Sequence, residues 1–303
     1  MSDSAGKKTP KSLADVSHLF FSKTDDARDD DAAVAVDAPA VGRRTRLFVV
    51  TGGNGAPGKS TVAVSLAHAF QATGPVAVLD ADPSVPNARF YMGAPSWHYL
   101  TPLTGERRAQ SIRLESGLLS VDCTGERRAD EIIAAGREVY FDVEGEARSP
   151  VSSVVVDIPS ERLEWVAPVV ERVGLFVVVA RPGWDGFEEA FGVLKRLSEN
   201  LGVRSAGLIV NHVPGNDYAA KFYAKTRAAA ERLLTMEMHF LGGMVREESL
   251  ASQQRERGPV IRNHPDTVFA LMLREAASKA LGSEEAGQSS WTRSVAEPNG
   301  ATS

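Results

Sequence analysis

The sequence predicts an α/β fold, a mostly parallel, doubly wound P-loop sheet with helices on both faces. Three observations carry this. A glycine-rich turn at 47–65 joins an apolar run to a helical pattern. Apolar runs rich in β-branched residues recur at Val76–Leu79, Val151–Ile158, Gly174–Ala180 and Ala206–Val210. Amphipathic helical patterns lie between them, and strands alternating with helices make a parallel sheet covered on both sides.

The glycine-rich turn is the most informative stretch. It reads Leu47-Phe-Val-Val-Thr-Gly-Gly-Asn-Gly-Ala-Pro-Gly-Lys-Ser-Thr61, and from Gly53 it has the form G-x-x-x-x-G-K-S. Such a loop between a strand and a helix binds phosphate. Its glycines let backbone N–H groups turn inward around a polyphosphate, and the helix that follows presents its positive N-terminus to the same anion. Gly53, Asn54, Gly55, Ala56, Pro57, Gly58, Lys59, Ser60 and Thr61 are therefore the expected nucleotide-binding segment. Lys59 would reach the β- and γ-phosphates, and the Ser60 hydroxyl would ligate magnesium.

Composition sets the class. The 303 residues carry a net charge of −5, with 43% hydrophobic and 24% charged residues, as in an ordinary soluble globular protein. This balance argues against a protein that coats nucleic acid. Cys123 is the only cysteine, which excludes intrachain disulfides and cysteine-rich metal sites and suits a reducing cytoplasm. No apolar run reaches the roughly 20 residues of a spanning helix, and the polar, charged start is no signal peptide.

In chain order, residues 1–42 are expected to be disordered apart from a short amphipathic helix at 12–23, with Leu13, Val16, Leu19 and Phe20 along one side. That helix would dock on a partner or pack on its own domain; the acidic run Asp25–Asp31 beside it disfavours an anionic membrane surface. The nucleotide-binding domain is expected to span 43–282. Its first helix, Lys59–Ala72, turns Val62, Leu66, Ala69 and Phe70 inward. Val76–Leu79 ends in Asp80-Ala81-Asp82, two carboxylates where open α/β sheets bind ligands.

Residues 93–150 are the least readable. Thr104-Gly-Glu-Arg-Arg-Ala109 recurs at Thr124–Ala129, although two copies are no repeat architecture. Val151–Ile158 holds Asp157, which has the form of the aspartate that supports magnesium in P-loop proteins. Helices are expected at 185–200, 217–236, 247–257 and 266–281, with a last strand at 239–245. His212, Met236 and Met238 read as packing. Residues 283–303 turn to Ser, Glu, Gly and Gln and are expected to be disordered.

Together these motifs resemble the MinD/ParA class of P-loop ATPases, over about 43–281. Thr51–Thr61 lies over that family's deviant Walker A loop. Leu79-Asp-Ala-Asp-Pro-Ser-Val-Pro-Asn87 with Tyr91-Met-Gly93 is similar to its switch I, with spacing nearer MinD and FlhG than plasmid ParA. Val154–Pro159 resembles switch II, Leu208–Asn211 matches the strand whose asparagine reads adenine, and Arg255–Ala270 also has the look of this branch. The resemblance implies ATP and Mg2+ as ligands. Asp82 would position the attacking water, Ser60 and Asp157 would serve magnesium, and Asn211 would contact the base. It also implies an ATP-dependent homodimer acting as a positioning or assembly switch, reset by hydrolysis.

Three departures stand out. The family's signature lysine falls at Asn54, glycine after the switch II proline is replaced by Ser160, and Pro-x-Asp near the base site is replaced by Arg246-Glu-Glu248. Loss of a cation at developing phosphate charge slows phosphoryl transfer. The expected function is thus a MinD/FlhG-type switch with slow or partner-stimulated hydrolysis. A non-hydrolysing nucleotide-gated binding module is the alternative. A tyrosine-autokinase-like domain shares the absent lysine, yet no tyrosine lies beyond Tyr223. An amide-forming ligase would need a pocket from 93–150, which shows no catalytic cluster. Nothing supports DNA binding, and any membrane contact would be indirect.

Overall fold

The computed structural model describes residues 45–53, 58–82, 88–93, 111–113, 118–122, 151–247 and 258–295. The expected helix at 12–23, the Thr104 and Thr124 copies, and 248–257 lie outside them. In chain order the strands are β1 (Arg46–Gly52), β2 (Val76–Asp80), β3 (Ser111–Arg113), β4 (Leu119–Asp122), β5 (Ser153–Asp157), β6 (Val173–Ala180), β7 (Ser205–Val213) and β8 (Glu237–Val245). The helices are α1 (Lys59–Phe70), α2 (Ala88–Met92), α3 (Trp184–Leu201), α4 (Asn216–Leu234), α5 (Val260–Asn263) and α6 (Val268–Val295).

The sheet has eight strands in the order β3-β4-β2-β5-β1-β6-β7-β8. Seven are mutually parallel, and β3 runs antiparallel to β4 at one edge. The expected mostly parallel α/β architecture is what is found. The antiparallel edge falls within 93–150, where the pattern is weakest.

Central parallel strands are covered on both faces, which is why their sequences read as continuous apolar runs. Along β1, Leu47 and Val49 face one core while Phe48 and Val50 face the other. The first core takes Leu163, Val166, Leu194, Leu197 and Phe222 from the elements that follow β5, β6 and β7. The second takes Leu66 and Phe70 from α1, and Leu273, Ala276 and Ala277 from α6. Met236 and Met238 are buried in the first core, which fits the packing role read from the sequence.

Three local departures from the expected elements have identifiable causes. Ser160–Arg172 winds as a 3₁₀ segment where no element is predicted. Pro168 lies inside it and supplies no N–H, which prevents a regular α-helix, yet Leu163, Val166 and Val169 still face the core. The helix before β8 stops at Leu234 rather than Met236, because Thr235 takes a left-handed conformation at φ 50°. Finally, the last helix continues past Leu281 to Val295, against the disordered stretch expected from 283. Its Ser, Glu, Gln and Ala residues are compatible with a helix once one is nucleated, Gly282 costs only about 1 kcal/mol, and no proline intervenes before Pro298. Among the described residues, no helix is long and apolar enough to cross a membrane.

Two glycines make opposite use of their missing side chain. A Cβ on Gly243 in β8 would overlap the Cβ of Ala219 in α4, whereas one on Gly192 in α3 would meet nothing within 4 Å. Gly243→Ala should therefore destabilise by about 1–3 kcal/mol. Gly192→Ala should stabilise by about 0.5–1 kcal/mol, because alanine restricts the unfolded chain and suits a helix. Denaturant unfolding of both variants checks this; equal midpoints would show that α4 is not tightly seated on β8.

Candidate functional site

The carboxyl ends of β1, β2 and β5 converge where the chain changes direction across the sheet. From β1 it crosses to β2 on one side, and β6 lies on the other. Ligands of open α/β sheets bind at such switch points. The three strand ends are tied by backbone bonds: Ile158 N donates to Val50 O at 3.0 Å, and Ala81 N donates to Asp157 O at 2.8 Å.

Gly53 ends the described part of the first strand's turn. A Cβ there would overlap Glu189 Cβ of α3, so only glycine lets the chain pass. Asn54, Gly55, Ala56 and Pro57 lie outside the described residues. Gly58 has φ 84°, and its C=O accepts the first helical bond from Val62 N at 2.8 Å. It offers no side-chain cap and α1 has no acidic residue in its first turn, so the N–H groups of Lys59, Ser60 and Thr61 form an uncompensated positive end. Lys59, Ser60 and Thr61 are all half-buried at this mouth.

Strand register places two carboxylates side by side. Asp80 ends β2, Asp157 ends β5, and the two are direct partners in the β2–β5 ladder. Both are buried, at 3% and 0% exposure. Lys59 Nζ donates to Asp157 Oδ1 at 2.8 Å. Asp80 is held by backbone donors, with Asp82 N on Oδ1 at 3.1 Å and Ala88 N on Oδ2 at 2.9 Å. Burial, and then the charge of Asp157, push the Asp80 carboxyl up to about 7, while its two N–H bonds and Lys59 pull the other way.

Asp80 is expected from the sequence only as one of two carboxylates at the end of β2, with no role of its own. Its signal was visible in Asp80-Ala-Asp82, but spacing alone could not say which carboxylate faces inward. In the structure Asp80 is the buried carboxylate, accepting the backbone N–H groups of Asp82 and Ala88.

Asn211 lies on β7, buried at 1% exposure, with Oδ1 accepting from His212 N at 3.0 Å. A Cβ on Gly58 would overlap its Nδ2, which brings this amide against the phosphate loop's second glycine. His212, at φ 59°, has its imidazole pKa lowered by burial and by Arg246.

The donors present fit a magnesium nucleotide. Ser60 and Asp157 offer hard oxygens, as that cation requires. Asp157 Oδ2 is buried without a hydrogen-bond partner, an acceptor that a hydrated cation would satisfy. Among the described residues no group of three or more His, Cys, Asp or Glu side chains that could hold a metal ion occurs.

The CobQ/CobB/MinD/ParA nucleotide binding domain matches residues 48–260. The chain belongs to that family. This bears out the resemblance carried by the loop, the switch-like segments and Leu208–Asn211. The chain is 25% identical over 250 residues to the flagellum site-determining protein YlxH of Helicobacter pylori, covering 80% of this chain and 84% of that one. Two solved structures share the fold. MinD of Pyrococcus horikoshii, complexed with Mg-ADP, is 17% identical with a TM-score of 0.53, over 77% of this chain and 95% of that one. The MinC:MinD cell division complex of Aquifex aeolicus matches at 16% identity and a TM-score of 0.52, over 78% and 96%.

The raised Asp80 carboxyl fixes a sign for pH dependence in nucleotide-free protein. Its stabilising contribution is complete below 3.8, falls as pH rises, and is gone above about 7, because the folded state binds this proton more tightly than the unfolded chain. Unfolding midpoints across that window should fall with pH in the native chain and fall less in Asp80→Asn. Parallel profiles would remove Asp80 as the titrating group.

Proposed function

We propose that this protein is an ATP-binding regulatory switch of the MinD/FlhG type, binding ATP with Mg2+ and hydrolysing it slowly or under a partner's control. The observation that carries this is the Lys59–Asp157 pair at the uncapped start of α1, beside the unpartnered Asp157 Oδ2. A triphosphate would draw Lys59 forward from Asp157, freeing that carboxylate for the water shell of magnesium. Magnesium bound there would neutralise the phosphate charge.

Other roles follow from placement. The backbone N–H groups of Gly53 to Thr61, Pro57 excepted, and the start of α1 would cradle the phosphates, with Ser60 on the cation. Asp82 would orient the attacking water, two residues beyond a buried carboxylate that holds its backbone N–H. Asn211 would face the base side from beneath Gly58. Homodimerisation on ATP follows from the family resemblance of the motifs, and control of a cellular assembly is extended from the relatives: YlxH is described as flagellum site-determining, and one MinD is seen with MinC.

Asn54 supports the slow rate, because an amide at that position brings no charge to the phosphates. It also favours a second reading, a nucleotide-gated module that does not hydrolyse at all.

Titration calorimetry with Mg-ATP should show binding, weakened by about 10- to 100-fold in Lys59→Ala as a charge-assisted phosphate contact is lost. Turnover without a partner should be slow and should disappear in Asp82→Ala with binding retained. Vigorous unassisted hydrolysis abolished by Lys59→Ala would overturn the slow-hydrolysis part. Absence of any turnover, with a dimer still forming on ATP by light scattering, would select the non-hydrolysing module.

A further inference from the structure

We propose that Arg181 is a second phosphate-binding cation of this site, held in reserve by Glu189 until a nucleoside triphosphate arrives. The inference rests on the ATP-binding reading above and adds the residue that recognises the terminal phosphate.

Strand register brings Arg181 to the loop. In the β1–β6 ladder Thr51 pairs with Val178 and Gly52 with Val179. One residue beyond that pair come Gly53 and Ala180, and Arg181 follows Ala180 directly. Neighbouring strands lie about 4.8 Å apart, so the start of the phosphate loop and Arg181 emerge side by side.

The Arg181 guanidinium is already holding a pair of oxygens. Its Nη2 donates to Glu189 Oε1 at 2.7 Å and its Nε to Oε2 at 3.3 Å, a fork that fits a phosphate equally well. Glu189 in turn is the residue whose Cβ fills the space beside Gly53. The ion pair thus rests on the wall of the loop's first glycine. Its side chains are 37% and 25% exposed. A pair this open to water is weakly held, and a terminal phosphate carrying more negative charge than one carboxylate can take the arginine from it.

Charge balance supplies the need. Three carboxylates, Asp80, Asp157 and Glu189, lie at this end of the sheet, and more than the single positive charge of Lys59 is needed to offset them beside a polyphosphate. Arg181 is positioned to provide that charge from the adjacent strand.

The competing explanation is a strap, with Arg181 and Glu189 only fastening α3 to the end of β6. The two differ in sign. A strap is broken alike by Arg181→Ala and Glu189→Gln. A reserve cation is lost in Arg181→Ala but released in Glu189→Gln. The experiment measures dissociation constants of the full chain for Mg-ADP and for a non-hydrolysable Mg-ATP analogue.

Arg181→Ala should weaken the analogue by about tenfold or more while leaving ADP within about twofold. Glu189→Gln should tighten the analogue, and Arg181→Lys should recover part of the loss. Unchanged analogue affinity in Arg181→Ala, or losses of the same sign in Arg181→Ala and Glu189→Gln, would overturn the proposal while leaving ATP binding intact. Lys59→Ala serves as the separate control, losing both nucleotides. A native chain that binds neither would overturn this inference together with the reading on which it rests.

Discussion

Asp80 and Asp157 are neighbours across two parallel strands, both sealed from solvent, and nothing in strand geometry keeps their charges apart. Three devices make the arrangement tolerable. Lys59 neutralises Asp157, two backbone N–H groups solvate Asp80, and the Asp80 proton is retained to about neutral pH. Without those devices a buried carboxylate pair would be strongly unfavourable. The rest of the site is arranged around this solution. Lys59 reaches Asp157 from the first residue of α1, and the Asp80 carboxylate accepts the backbone N–H groups of Asp82 and Ala88.

The same constraint explains why the site belongs to the ligand rather than to stability alone. An aliphatic pair would close the centre of the sheet at lower cost. On the proposed reading, the charges would be useful because a polyanion and its cation change the balance among Lys59, Asp80 and Asp157.

Much of this was legible in sequence, for physical reasons that differ by residue. Glycines 53 and 58 stood out because a phosphate loop needs close backbone approach and a left-handed turn, and glycine at those positions is hard to replace. Asp157 stood out less from ending an apolar run, which is common, than from following a phosphate loop and an Asp-x-Asp in chain order. The strands β1, β2, β5, β6 and β7 announced themselves through burial on both faces. Asp80 was ambiguous because its meaning depends on ladder register with β5, which is a long-range property. Arg181 and Glu189 carry no sequence signal, since their relation to Gly53 arises only when β6 and α3 fold against β1. The 3₁₀ segment at 160–172 was hidden because its period of three and Pro168 match neither the helical nor the strand template. The antiparallel β3 was hidden by its three-residue length.

The position of β1 in the sheet has a consequence for how the protein acquires its activity. This strand pairs with β5 and β6, not with β2, so its nearest ladder partners begin at Ser153 and Val173, more than a hundred residues further along the chain. Closing loops of that size is slow, because the entropy is lost before the contacts repay it. On a ribosome the phosphate loop would emerge early and remain without a scaffold until the second half of the domain had followed. Nucleotide capture is therefore a late event in maturation, and a chain that has acquired it has already assembled the centre of its sheet.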